Sequence, residues 1–233
     1  MIRAVLLDAV GTLVVLREPV GATYARVAAA HGVRVSPQQI GDAFARAFAK
    51  AEPAVFPAAP AAEVPARERA WWRELAQNAF RAASPTHFAD FDACFDELWG
   101  RFASPAAWAP AAGAVEALAA LRASGRRTAV VSNFDRRLRP ILAGLGLGPL
   151  LDACVLPADA GAAKPDPRIF RAALDALGAR PSETAFVGDD PARDLEPARA
   201  LGLHAVDAAS LATLADLPAR IDAIGAGGQE HAT

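Results

Sequence analysis

The sequence predicts an α/β protein, a parallel sheet flanked by helices, with a block of helices inserted after the first strand. Three observations carry this. From residue 111 onward short apolar runs alternate with helical segments, the pattern of strands joined by helical crossovers into a sheet covered on both faces. A separate apolar run, IRAVLL at residues 2–7, ends on Asp8. Between them, residues 18–103 have helical spacing, many aromatics and no strand signal.

Taken in order, residues 2–7 read as a buried strand. A helix fits 20–31 and stops at Gly32. Ser36-Pro37 announces a second, an N-cap residue followed by proline at the first helical position. After a proline-rich linker from Pro53 to Pro65, a third helix holds Trp71, Trp72, Leu75, Ala79 and Phe80. A fourth spaces Phe88, Phe91, Phe95, Leu98 and Phe102 into an apolar stripe. Then come a helix over 111–123, a strand over 127–132, a helix over 136–143 and a strand over 153–157. A helix over 167–177, a strand over 184–188, a helix over 191–201 and a short strand over 203–206 follow. The tail, GAGGQEHAT, has no apolar face. The expected division is a core of 1–17 with 104–226, a helical cap of 18–103, and a frayed tail of 227–233.

Composition narrows the function. The 233 residues are 53% hydrophobic and 21% charged, which excludes wholesale disorder. Twenty-four basic residues against 26 acidic ones give a net charge of −2, with no electrostatic footprint for nucleic acid or anionic lipid. Cys94 and Cys154 are too few to staple such a chain, and a reducing cytoplasm is the expected location. The apolar opening is interrupted by Asp8 and the Gly11-Thr12 pair, too early for a membrane span or an export signal. The expected partner is a small molecule.

Ligands of open parallel sheets bind beyond the carboxyl ends of the strands. Asp8 follows the first strand, within DAVGT; Ser132 and Asn133 follow the second, within VVSNFD. Lys164 lies beyond the third, within GAAKPDP, and Asp189 and Asp190 follow the fourth, with Asp194 one turn on. Several carboxylates on one rim demand a divalent cation or shifted protonation. An oxygen-only set without histidine suits a hard ion such as Mg2+. Ser132, the Asn133 side chain or amide, and Lys164 are donors for a tetrahedral oxyanion such as phosphate. Carboxylate, hard cation and oxyanion donors together make a phosphoryl-transfer site in which one aspartate attacks phosphorus. Lys164 stands out by composition too: the chain has two lysines, Lys50 and Lys164, against 22 arginines, so a compact point charge is wanted there.

These residues resemble the four motifs of the haloacid dehalogenase (HAD) superfamily: DAVGT, SN, KPDPRIF and VGDD…D, in order and over nearly the whole chain. The resemblance implies a Rossmann-like core with a small helical cap. It implies Asp8 as nucleophile and Mg2+ ligand, Val10 offering its carbonyl to the cation, and Thr12 within the first motif. Ser132 and Asn133 would hold phosphoryl oxygens, and Lys164 would bridge nucleophile and phosphate. Asp189, with Asp190 or Asp194, would complete the cation site.

One position departs from the pattern. Family phosphatases carry an aspartate two residues after the nucleophile as general acid and base; here it is Val10, which moves no proton. General acid-base help is typically worth ~10²–10⁴ in rate. Three rival readings follow. A HAD-fold binding or regulatory protein is favoured by Val10. A 2-haloacid dehalogenase also lacks that aspartate, but the Asp189-Asp190 pair argues against it. A phosphonate-cleaving enzyme would need a cap lysine, for which only Lys50 is available and reads as a surface residue. Trp71 and Trp72, adjacent on one helix, cannot face the same way, so one is expected in the core. Arg136 and Arg137 read as helix-start arginines able to meet an anion. The four histidines are too scattered to bind metal, and His204 is expected to be structural.

Overall fold

The computed structural model describes residues 1–84 and 87–227. Its elements run β1 (Ala4–Leu7), β2 (Val14–Leu16), α1 (Val20–Ala30), α2 (Pro37–Lys50), α3 (Val64–Ala83), α4 (Phe91–Ala103) and β3 (Trp108–Pro110). Then follow α5 (Ala114–Ala123), β4 (Arg127–Val131), α6 (Leu138–Gly144), β5 (Ala153–Val155), α7 (Pro157–Ala160) and α8 (Pro167–Leu177). The chain continues through β6 (Thr184–Gly188), α9 (Glu196–Ala200), β7 (His204–Asp207) and α10 (Leu217–Gly227). It divides into two compact units, Met1–Val15 with Ala109–Thr233, and Leu16–Trp108.

The first unit is the expected α/β core. Its five strands are parallel, in the order β5-β4-β1-β6-β7. β1 is central and wholly buried, as AVLL must be when both faces are covered. Leu6 pairs in register with Ala129 on one side and Phe186 on the other. On one face Ile169, Phe170, Ala173 and Leu177 of α8 pack onto Leu6, Ala129, Val131 and Phe186, with the Phe170 and Phe186 rings 5.1 Å apart. Asp166 caps α8 by accepting from the Arg168 amide at 2.9 Å, and Pro167 follows at the first helical position. Because β4, β1 and β6 are adjacent and parallel, their carboxyl ends open on one rim.

The second unit is helical. Tyr24, Val27 and Ala28 of α1, Ile40 of α2, Ala76, Ala79 and Phe80 of α3, and Cys94, Phe95 and Leu98 of α4 form one core. Ser36 caps α2, and Asp90 caps α4 by accepting from the Ala93 amide at 3.0 Å.

Several elements differ from the sequence reading. β2 and β3 pair as a two-stranded ribbon; three residues each are too short to register as a strand pattern. The helix expected over 191–201 begins as a π-turn, Pro191–Leu195, before α9. The strand expected over 153–157 ends at Val155, since Pro157 opens α7. The sequence reading missed α10, whose Leu217 and Ile221 are fully buried. Gly227 closes that helix, and the remainder of the expected frayed tail lies outside the described residues. No helix among the described residues is long and apolar enough to cross a membrane.

Both cysteines are unpaired thiols. Burial pushes each up to about 11, Cys94 with help from Glu97, Cys154 with Arg139 pulling the other way. At pH 8 only about a thousandth of either is thiolate, the reactive form. Native protein is therefore expected to react with a disulfide reagent such as DTNB at a small fraction of the rate seen in urea. Equal rates would mean that burial does not protect these thiols.

Candidate active site

Asp8 begins the turn that leaves β1. Its backbone amide donates to the Val187 carbonyl at 2.8 Å, carrying the sheet pairing one residue beyond the strand. The turn then closes tightly: the Leu13 and Val14 amides donate to the Ala9 carbonyl, and the Gly11 amide to Val14. Gly11 is required here. Its φ is +99°, and a Cβ built on it would lie 2.4 Å from an Asp189 carboxylate oxygen. Gly188, the last residue of β6, is equally constrained, a Cβ there lying 2.4 Å from Asp194 Oδ2. Two missing side chains thus let Asp189 and Asp194 approach the backbone closely.

The result is a cluster. Asp8, Asp189 and Asp194 offer carboxylate oxygens that all lie within 4.8 Å of one another. Asp8 and Asp194 are buried, and Asp189 is exposed. The Lys164 ammonium, 4% exposed, donates to Asp8 Oδ1 at 2.5 Å and lies 2.7 Å from Asp194 Oδ1. Burial, the largest influence, raises Asp8; Asp194 adds to this and Lys164 opposes it, leaving the carboxyl at about 6. Burial alone would lower Lys164, but Asp8 and Asp194 outweigh it and hold the ammonium above its ordinary value. Asp189 is also raised, first by burial and then by Asp194. One ammonium against three carboxylates leaves an excess of negative charge, which a divalent cation would neutralise. The oxygen-only donor set fits a hard ion.

The remaining candidates have more specific positions than the sequence indicated. Thr12 is buried and donates to Asp189 Oδ1 at 3.4 Å. Ser132, also buried, accepts from the Phe134 amide at 3.2 Å, leaving its hydroxyl proton to donate elsewhere. The Asn133 side chain is committed to Lys164: Nδ2 donates to the Lys164 carbonyl at 2.9 Å, and Oδ1 accepts the Lys164 amide at 2.7 Å. Its side chain therefore fixes the lysine's peptide. Asp190 does not join the carboxylate cluster. Its Oδ1 accepts from the Ala192 and Arg193 amides at 2.9 and 3.0 Å, capping the π-turn, and of the two alternatives it is Asp194 that reaches Asp8. The Val10 side chain is 39% exposed.

Sequence reasoning missed a buried ion pair beside the site. Asp135, 4% exposed, takes a two-pronged grip from Arg137 at 2.6–3.1 Å. Arg137 is thus a structural partner and not the solvated helix-start residue expected. Only the DRR spacing hinted at it. In the helical unit, Trp71 lines a cavity of about 560 Å³ with Arg46, Lys50, Glu74 and Asn78, while Trp72 packs on the core. His204 Nε2 lies 3.2 Å from the Ser182 carbonyl, a structural position.

A haloacid dehalogenase-like hydrolase family model matches residues 2–202. The chain belongs to this family. This HAD-like hydrolase is 38% identical over 203 residues to haloacid dehalogenase-like hydrolase domain-containing protein 3 of Bos taurus, covering 87% of this chain and 80% of that protein. It is 41% identical over 90 residues to a phosphoserine phosphatase of Thermus thermophilus, covering 38% of this chain and 36% of the other. The HAD-like fold is also that of an L-2-haloacid dehalogenase from Xanthobacter autotrophicus. That structure matches with a TM-score of 0.66 at 21% identity, over 95% of this chain and 83% of the other.

The close approach at Gly11 gives a test of the hydrolase's geometry. Gly11→Ala adds a strained φ and drives Asp189 away, so a loss of about 1–2 kcal/mol in urea unfolding is expected. An unchanged stability would show that the turn tolerates a Cβ and that Asp189 need not sit there.

Proposed function

We propose that this protein is a Mg2+-dependent hydrolase of small phosphorylated molecules that works through an aspartyl-phosphate on Asp8. The observation that carries the reading is the gathering of Asp8, Asp189 and Asp194 at the carboxyl ends of β1 and β6, with the Lys164 ammonium between Asp8 and Asp194. Asp8, Asp189 and Asp194 would hold the cation, with the Val10 carbonyl as a further oxygen. When bound, Mg2+ supplies the positive charge that lets a carboxylate and a phosphate meet. Asp8 attacks phosphorus. Lys164 keeps Asp8 ionised and orients it, and the Ser132 hydroxyl donates to a phosphoryl oxygen. Thr12 steadies Asp189, and Asn133 holds Lys164 by its peptide. The helical unit serves as the cap that selects substrate. A reducing cytoplasm suits the two unpaired thiols.

A second reading, a binding or regulatory protein that keeps fold and cation site, is favoured by Val10 alone. Release of nitrophenolate from 4-nitrophenyl phosphate separates the two. Metal-dependent release that disappears in Asp8→Asn is expected for the hydrolase. Identical traces from both proteins would leave the binding reading standing.

A further inference from the structure

Resting on that hydrolase reading, we infer that the site acts on phosphates whose leaving group departs without a proton, acyl phosphates above all, and that its aspartyl-phosphate persists. The turn that positions Asp8 is closed by backbone hydrogen bonds from Gly11, Leu13 and Val14. It presents at position 10 an exposed valine, which carries no exchangeable proton. The carboxyls near the same rim are engaged elsewhere. Asp135 is buried in the grip of Arg137, and Asp190 caps the π-turn with its Oδ1. Asp189 and Asp194 belong with Asp8 to the cation cluster, and Lys164 spans Asp8 and Asp194. Under the hydrolase reading each of these carboxyls is thus already held, and Val10, two residues after the nucleophile, has no proton to deliver or remove.

The consequence falls on both steps. In the first, Asp8 oxygen bonds to phosphorus while the bond from phosphorus to the leaving oxygen breaks, and the electron pair departs on that oxygen. A carboxylate or nitrophenolate carries the pair unaided. An alkoxide must take up a proton, and Val10 has none to give. In the second, a water oxygen bonds to phosphorus and its proton passes to solvent. The pair of the Asp8–phosphorus bond returns to Asp8, giving a free carboxylate and inorganic phosphate. Without a base to activate that water, this step is slow. Acidic leaving groups therefore load Asp8 faster than water unloads it.

The test compares acetyl phosphate, 4-nitrophenyl phosphate, phenyl phosphate and glycerol 3-phosphate, each with Mg2+, by phosphate release and by the mass of acid-quenched protein. The expected result is the same slow phosphate release from the first two substrates, limited by water, and a first step, read as the initial burst of leaving group, that falls by ~10²–10⁴ between the nitrophenyl and alkyl esters beyond the effect of binding. Phosphoryl protein should accumulate with the first two substrates and be absent in Asp8→Asn. Val10→Asp should recover alkyl ester cleavage and empty the phosphoryl state. Alkyl and nitrophenyl esters cleaved within about tenfold of one another, with no phosphoryl protein trapped, would overturn the inference while leaving the hydrolase reading intact. No Asp8-dependent phosphate release from any of the four would overturn both.

Discussion

Replacing Lys164 with methionine is expected to cost metal-free protein ~3–5 kcal/mol, the range seen when one partner of a buried ion pair is removed. Lys164 is 4% exposed and Asp194 1% exposed. The ammonium is the charge that lets Asp8 and Asp194 stay so near each other in a dry site. Methionine fills much of the same volume, so the loss reads electrostatics and not a cavity. Urea unfolding with EDTA present measures it. Two further readings guard against a general packing defect. Adding Asp8→Asn to Lys164→Met should return at least about 1 kcal/mol, because one orphaned carboxylate is removed. Mg2+ should stabilise the lysine variant more than the wild type, because it meets more unneutralised charge. A loss below about 1 kcal/mol, with no coupling to Asp8, would mean that the ion triad contributes little.

The second large effect separates two acidic positions four residues apart. Asp194→Asn removes one of the three clustered carboxylates, and Mg2+ affinity is expected to fall by at least about 100-fold. Asp190→Asn should leave the affinity within a few-fold of wild type, because asparagine caps a turn about as well as aspartate. Calorimetric titration of Mg2+ into each variant gives the comparison. Equal losses, or a larger loss at Asp190, would contradict the placement of Asp194 with Asp8 and Asp189.

That contrast also marks how far the sequence could be read. The alternation of apolar runs with helices revealed the parallel sheet because each strand is buried on both faces, as β1 and β6 are. The strand ends pointed to Asp8, Ser132, Lys164 and Asp189 because a parallel sheet delivers those ends to one rim. Choosing between Asp190 and Asp194 required more. The π-turn after β6 turns Asp190 back onto the Ala192 and Arg193 amides and leaves Asp194 close to Gly188. An Asp-Asp-Pro sequence does not encode that turn visibly. Asn133 was equally ambiguous, since a side-chain amide beside Ser132 suits a phosphate or a peptide, and its pair of bonds to Lys164 shows the side chain holding a peptide. The buried Asp135–Arg137 pair left no pattern beyond two charges of opposite sign. Short elements escaped for lack of length: β2 and β3 have three residues each, below what periodicity can resolve.

The central claim is that one divalent cation and one phosphoryl group meet at Asp8. A crystal structure of the protein with Mg2+ and beryllofluoride examines it directly. The expected result is the fluoride complex bonded to an Asp8 oxygen and the cation shared among Asp8, Asp189 and Asp194. Lys164 should lie against the fluorides, with Asp190 still capping its turn. Beryllofluoride bound away from Asp8, or a cation that leaves Asp189 and Asp194 without contact, would contradict it.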